Sequence, residues 1–259
     1  MSNILLGLYL RRYMREGRAF LLIGIVLPLF LLIILTVTGI NSSGGAGAKA
    51  LKAFSQSMGL RDVSLYLMVL ILPFIAPVFT VVGTMMAPAL YSEDRENGFF
   101  EFILSSTKFG TKDIFWSIIL TALIVGLFII SITVVEILIV VIILNGTVPS
   151  LFLNELLIYT IPISIIAVLI GTSIAFVSQA LTKRMTFVNS PAGLAPVFGV
   201  IVTVVPLFFS IFSARGVFGS VDFNQLYLIL GGYVAGTLLL LLLIFFFTNF
   251  RMVRERLLS

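Results

Sequence analysis

An all-α membrane bundle is the fold class this sequence predicts, and three observations predict it. The mean hydropathy is +1.21. Only 10% of the 259 residues are charged and 60% are apolar, whereas soluble domains carry about a quarter charged residues. The apolar residues also fall into six runs long enough to cross hydrocarbon, with Lys and Arg gathered in alternate connections. A single soluble core cannot absorb that much apolar surface, so the surrounding solvent is lipid. Continuous apolar runs, rather than alternating segments of about ten residues, exclude a β-barrel.

A span needs roughly 20 mainly apolar residues. The first is expected from Ala19 to Ile40. It is too long for a signal-peptide core and leads into further spans, so it is read as retained. The second runs from Val63 to Leu90 and contains Pro73, Pro77 and Pro88, which predict kinks. The third, Ile114 to Leu144, exceeds what the hydrocarbon requires and must tilt or protrude. The fourth covers Leu156 to Leu181. The fifth covers Ala192 to Phe212, with Pro196 and Pro206 inside it. The sixth covers Leu226 to Phe250. Its Gly232 and Gly236 form a small-xxx-small pair that allows close helix approach.

Orientation follows from the basic residues of the short loops. With the N-terminus inside, the inner segments hold twelve Lys and Arg and the outer segments four, Lys49, Lys52, Arg61 and Arg215. Six spans then return the C-terminus to the inside. The net charge of +5 thus belongs to span ends, where orientation and anionic lipid account for it without nucleic acid. Cysteine and histidine are both absent. That excludes disulfide frameworks, thiolate nucleophiles, HExxH zinc sites and His-based acid–base catalysis. The chain also lacks a GxxxxGK[ST] loop, so it carries no ATP site of that type.

Residues 1–18 read as an amphipathic interfacial helix. Arg11, Arg15 and Arg18 recur at i, i+4, i+7, placed to reach lipid phosphates, with Leu6, Leu10 and Met14 roughly opposite. One connection stands apart from the others. Residues 91–112, between the second and third spans, with Asp113 just after them, hold five of the eleven acidic residues. As one helix, this stretch puts Glu93, Asp94, Asn97 and Glu101 within an arc of about 100°, with Phe99, Phe102 and Ile103 opposite. The inner leaflet repels acidic residues. The acidic face therefore suits a cytosolic protein with a basic groove. A solvated acidic loop accounts for the same composition.

The stretch Glu93-Asp94-Arg95-Glu96-Asn97-Gly98-Phe99-Phe100-Glu101-Phe102-Ile103-Leu104-Ser105-Ser106, followed by Lys112, resembles the signature of the type-2 export permeases of ATP-binding-cassette (ABC) transporters. Glu96, Gly98, Glu101 and Leu104 match by residue and spacing. Phe99 replaces a usual Thr, and Thr107 stands near a usual Pro. The six-span plan and the basic N-terminal helix extend the likeness over the whole chain. The resemblance implies that 91–112 is a cytoplasmic coupling helix seated in a cleft of a separate ATPase subunit. Glu93, Asp94, Glu96, Gly98, Phe99, Phe100, Glu101 and Leu104 would form the ATPase-coupling set, with the acids paired to Arg or Lys and Phe99 or Phe100 in an apolar pocket. It also implies a second permease copy or paralogue, and ATP and Mg bound on the partner ATPase. The chain itself would be a non-catalytic subunit with no metal or cofactor of its own.

Glu136 is the acidic residue well inside an expected span. An ionised carboxylate at mid-membrane costs about 2.5–3.5 kcal/mol, so it should face the bundle or water. Two readings stand, a substrate-pathway residue and a hydrogen-bonded helix contact. Pro196 and Pro206 carry the same pair of readings, because bent helices free carbonyls that can line a pathway. The expectation is one transmembrane domain over residues 1–259 in the cell membrane, multi-pass, with both termini cytoplasmic. It would act as the permease of an ABC exporter for a hydrophobic or amphipathic compound, in contact with membrane lipid. An ATP-independent secondary transporter or channel is the alternative, which calls for several intramembrane charges or paired broken helices. A structural or assembly protein ranks third, and a membrane enzyme last.

Overall fold

A computed structural model describes residues 3–41, 75–105, 109–181, 196–206 and 223–247. All regular structure among them is helical. In chain order the helices are α1 (Asn3–Glu16), α2 (Arg18–Asn41), α3 (75–84), α4 (Met86–Glu96), α5 (Phe99–Ser105), α6 (Thr111–Asn145), α7 (Ser150–Glu155), a π-helical turn (Leu156–Thr160), α8 (Ile161–Leu181), α9 (Pro196–Pro206) and α10 (Phe223–Phe247). Four stretches are long and apolar enough to cross a membrane: Ile75–Arg95, Thr111–Asn145, Phe152–Phe176 and Leu228–Phe245. Counting the bent pair α1–α2 as one span makes five. This is a multi-pass membrane architecture. The fifth expected span is described only over the 11 residues of α9, and residues 63–74 of the second lie outside the described residues.

The long third span organises the bundle. At 1.5 Å per residue, α6 is about 52 Å long, well beyond the ~30 Å hydrocarbon core, and α1, α2, α4 and α8 all pack against it. Asp113 accepts the Gly110 N–H at 3.0 Å and so closes the start of α6. Gly146, at φ 81°, closes its end. In that turn the Asn145 amide donates to Thr147 O at 3.0 Å. Several hydroxyls buried in the spans are satisfied within their own helices. Thr80, Thr121, Ser164 and Thr172 each donate to the carbonyl four residues back, as lipid surroundings require.

Prolines act differently in different places. Pro88 has no N–H for the Thr84 carbonyl, and the helix breaks at Met85, whose N–H turns to Val82 O at 3.3 Å. Pro28 lies inside α2. Pro196 and Pro206 are the first and last described residues of α9, and the expected bend of the fifth span lies outside the described residues. Close packing is achieved where glycines meet. A Cβ on Gly83 would lie 2.3 Å from Ile129 Cδ1, and one on Gly24 3.2 Å from Gly83 Cα, so α2, α3 and α6 approach at this point. Nothing among the described residues lies within 4 Å of a Cβ built on Gly232 or Gly236. α10 touches the bundle mainly through α8 and the π turn.

Candidate functional site

The acidic stretch folds as two helices rather than one. α4 ends at Glu96, α5 begins at Phe99, and Gly98 between them sits at φ 69°. An L side chain enters that left-handed region at a cost of about 1–2 kcal/mol, so glycine suits the position. The Asn97 N–H donates to Glu93 O at 3.0 Å and the Gly98 N–H to Arg95 O at 3.1 Å. These bonds satisfy carbonyls that a helix end leaves open. The break resets the phase of α5 relative to α4 and removes the single acidic arc expected from the sequence.

The reset decides which side chains are free. Phe100 is 1% exposed, and Ile103 and Leu104 are buried beside it, whereas Phe102 is 75% exposed and Glu101 lies on the open side. Phe102 was expected on the apolar face and lies on the outer one, and Phe99 is half-buried against the core. Phe100 and Leu104, expected among the docking residues, point inward. Phe100 meets Tyr91 of α4 with ring centroids 5.0 Å apart. Tyr91 stacks on Phe176 of α8 at 4.9 Å, Phe176 meets Phe115 of α6 at 4.8 Å, and Phe115 meets Phe245 of α10 at 6.0 Å. One aromatic chain therefore ties the elbow to α4, α6, α8 and α10. It also puts the final turns of α8 and α10 at the elbow's end of the bundle.

From the other side, α1 clamps the elbow. α1 buries Leu5, Tyr9 and Tyr13 at i, i+4, i+8 and presses them against α4 and α6. The stripe expected from Leu6, Leu10 and Met14 is displaced, and Met14 is 48% exposed. The Tyr13 hydroxyl donates to the Gly83 carbonyl. Asp94 is 4% exposed: the Tyr9 hydroxyl donates to its Oδ2 at 2.8 Å, and Arg12 Nη1 donates to its Oδ1. Arg12 Nη2 reaches Glu93 Oε2 at 2.9 Å and Glu16 Oε2 at 3.6 Å. Asp94 thus turns inward rather than towards a partner, because a buried carboxylate needs a counter-charge and donors and α1 supplies both. Glu93 remains half-exposed, and Glu96 ends α4.

Burial, reinforced by Asp94, pushes the Tyr9 phenol well up, so it stays a donor through neutral pH. The Arg15 hydrogen bond, despite some burial, holds Glu16 below the usual carboxylate range. Sequence reasoning missed Arg12. The available signal was its place beside Tyr9 and Tyr13 on one helix face, four residues before Glu16. The expected anchors Arg11, Arg15 and Arg18 are all exposed. Arg15 pairs with Glu16 at 2.6 Å, and Arg18 Nε donates to Met14 O at 2.9 Å across the α1–α2 bend. Gly17 permits that bend of 67°, since a Cβ there would lie 2.8 Å from Tyr13 O.

Glu136 lies on α6, far along the helix from the elbow, with Oε2 buried and without a hydrogen-bond partner among the described residues. A second carboxylate accompanies it inside a candidate span. Glu155 is 6% exposed, and its Oε2 is equally unpartnered. It was placed just outside the fourth span by the sequence reading. The helix begins earlier, at Ser150, and sets Glu155 on the buried face with Phe152 and Tyr159. Among the described residues no cluster of three His, Cys, Asp or Glu is placed to hold a metal. No family model, no curated protein and no solved structure matches this chain.

Proposed function

We propose that this chain is the permease subunit of an ABC exporter, moving a hydrophobic or amphipathic compound outward across the cell membrane. ATP and Mg are bound and spent on a separate ATPase subunit. The permease works as six spans with both termini in the cytoplasm, paired with a second copy or a paralogue. One observation carries this reading: a short, stiff elbow joins two candidate spans, is rooted in the bundle through Phe100 and braced by α1, and leaves Glu101 and Phe102 uncovered. A lever needs those properties. It must not bend when pushed, and its outer face must offer a charge and an aromatic side chain to a partner's pocket. Asp94 and Phe100 hold the lever, and Glu93, Glu101 and Phe102 meet the motor.

The test is co-expression with a P-loop ATPase encoded beside this chain, followed by co-purification and ATPase assay in nanodiscs. Glu96→Lys with Glu101→Lys is expected to abolish stimulation of the ATPase while membrane insertion is retained. Unchanged ATPase binding and transport in the double variant would remove the coupling assignment.

A second reading, an ATP-independent transporter, is favoured by a specific observation. Two unpartnered carboxylates, Glu136 and Glu155, lie within candidate spans, and a π turn follows Glu155 directly. Intramembrane acids and π turns both gather at functional sites. Ion-driven flux by the purified chain alone in proteoliposomes, lost in Glu155→Gln, would replace the exporter reading.

A further inference from the structure

The outward face of α1 is a surface that the lever does not use. Ile4, Gly7, Leu8, Arg11, Arg12 and Arg15 line an open groove of about 560 Å³. Gly7 leaves its floor bare, as nothing lies within 4 Å of a Cβ there. Three guanidinium groups border the groove and no carboxylate does. Arg12 is turned to Glu93 and Asp94; Arg15 pairs with Glu16 at 2.6 Å yet keeps its side chain 72% exposed, so Arg11 and Arg15 are the cations on the open side. At the other end the groove is apolar, with Ile4 73% and Leu8 37% exposed.

The surface does not stop at the groove. Past the 67° bend, α2 presents Leu22, Val26 and Phe30 outward, each more than half exposed. These fall at i, i+4, i+8 on a helix without a charge after Arg18. If α2 crosses the bilayer, a helix bent 67° from it lies near the plane of the membrane surface. The guanidinium groups then lie at the membrane surface and the apolar helix below them in hydrocarbon, the order in which a phospholipid passes from phosphate to acyl chain.

We infer that the outer face of α1 is a binding site for one class of molecule, an anionic phospholipid. Its phosphate sits between Arg11 and Arg15, and its ester region and upper acyl chains lie against Ile4 and Leu8. Charge complementarity selects an anionic over a zwitterionic headgroup. The apolar flank formed by Ile4 and Leu8 selects a lipid over an acidic polypeptide. The inference depends on α2 crossing the bilayer and is independent of what the chain transports.

The full chain, purified in mild detergent, is titrated with phosphatidylglycerol and, separately, phosphatidylcholine, and bound lipid is counted by native mass spectrometry. The parent is expected to retain phosphatidylglycerol preferentially. Arg11→Gln with Arg15→Gln should weaken that retention on the order of thirty-fold and leave phosphatidylcholine unchanged. Both side chains are exposed, and circular dichroism verifies that the variant is folded. Gly7→Leu fills the groove without altering charge and should also lower phosphatidylglycerol retention. Equal retention of the two lipids by the parent overturns the site. So does undiminished phosphatidylglycerol retention in the arginine variant, or in Gly7→Leu, which would reduce the effect to diffuse surface charge. Protection of Arg11 and Arg15 from chemical modification by an ATPase subunit, with no protection by phosphatidylglycerol, overturns it in favour of a protein partner.

Discussion

Removing Arg12 should free α1 from the elbow, and the size of the effect follows from what each partner keeps. Asp94 has a side chain only 5% exposed, against 21% for Arg12 and 52% for Glu93. The Arg12–Glu93 arm is therefore a solvent-screened contact worth roughly 0–1 kcal/mol. The Arg12–Asp94 arm is a buried pair, and deleting one member of such a pair costs about 3–5 kcal/mol because the other charge stays behind without its partner. Arg12→Met keeps much of the aliphatic stem and tests the charge alone. It is expected to destabilise the docking of α1 by ~3 kcal/mol, since the Tyr9 hydroxyl still donates to Asp94. Asp94→Asn keeps an acceptor for Tyr9 and should cost about 1.5–3 kcal/mol. Arg12→Met with Asp94→Asn should cost clearly less than the sum, leaving a coupling energy of about 1–3 kcal/mol. Glu93→Gln should change little. The assay is denaturant titration in mixed micelles, read by circular dichroism and by proteolytic release of the segment before Gly17. If Arg12→Met lies within about 0.5 kcal/mol of the parent, or the two substitutions are additive, the clamp does not hold α1 and the brace assigned to the elbow is wrong.

Gly98→Val should strain the elbow turn by about 1–2 kcal/mol, because φ 69° is a left-handed conformation. The same titration reads this, and ATPase stimulation should fall with it. Gly83→Ala places a methyl group 2.3 Å from Ile129 Cδ1 and should cost roughly 1–3 kcal/mol by overpacking. Adding Ile129→Val, which removes that atom, should restore part of the loss; a double variant less stable than Gly83→Ala would refute the close approach of α3 and α6. The Tyr9 phenol titrates higher folded than its ordinary value of 10.0, through burial first and Asp94 second. The stability it contributes is complete below pH 10 and falls as pH rises beyond it. Proteolytic release of α1 should therefore increase above about pH 10, and Tyr9→Phe should flatten that rise. Phe102→Ala, 75% exposed, should leave the unfolding curve within about 0.5 kcal/mol of the parent while weakening ATPase capture.

Hydropathy and length alone determine that this chain is helical and multi-pass, since apolar runs in lipid have no other way to satisfy their backbone. α6 begins and ends within three residues of the expected third span, and α2 begins one residue before the expected first. The acidic stretch was legible as a special connection for the same reason, because charge is scarce elsewhere. Which of its residues face outward was not legible. Helical periodicity carries a face forward only while the helix is unbroken, and the turn at Gly98 exchanges Phe100 for Phe102. The inward turn of Asp94 was equally hidden, since its partners Tyr9 and Arg12 stand more than eighty positions away and a contact at that separation leaves no local pattern. Glu155 became a buried residue only when the helix start moved back to Ser150, in a segment whose Phe152 and Leu156 pack with Ile137 and Val141 of α6. Local chemistry thus decided what kind of elements form. Tertiary packing decided which side chains they leave free, because burial and counter-charge are properties of neighbours that only the folded chain brings together.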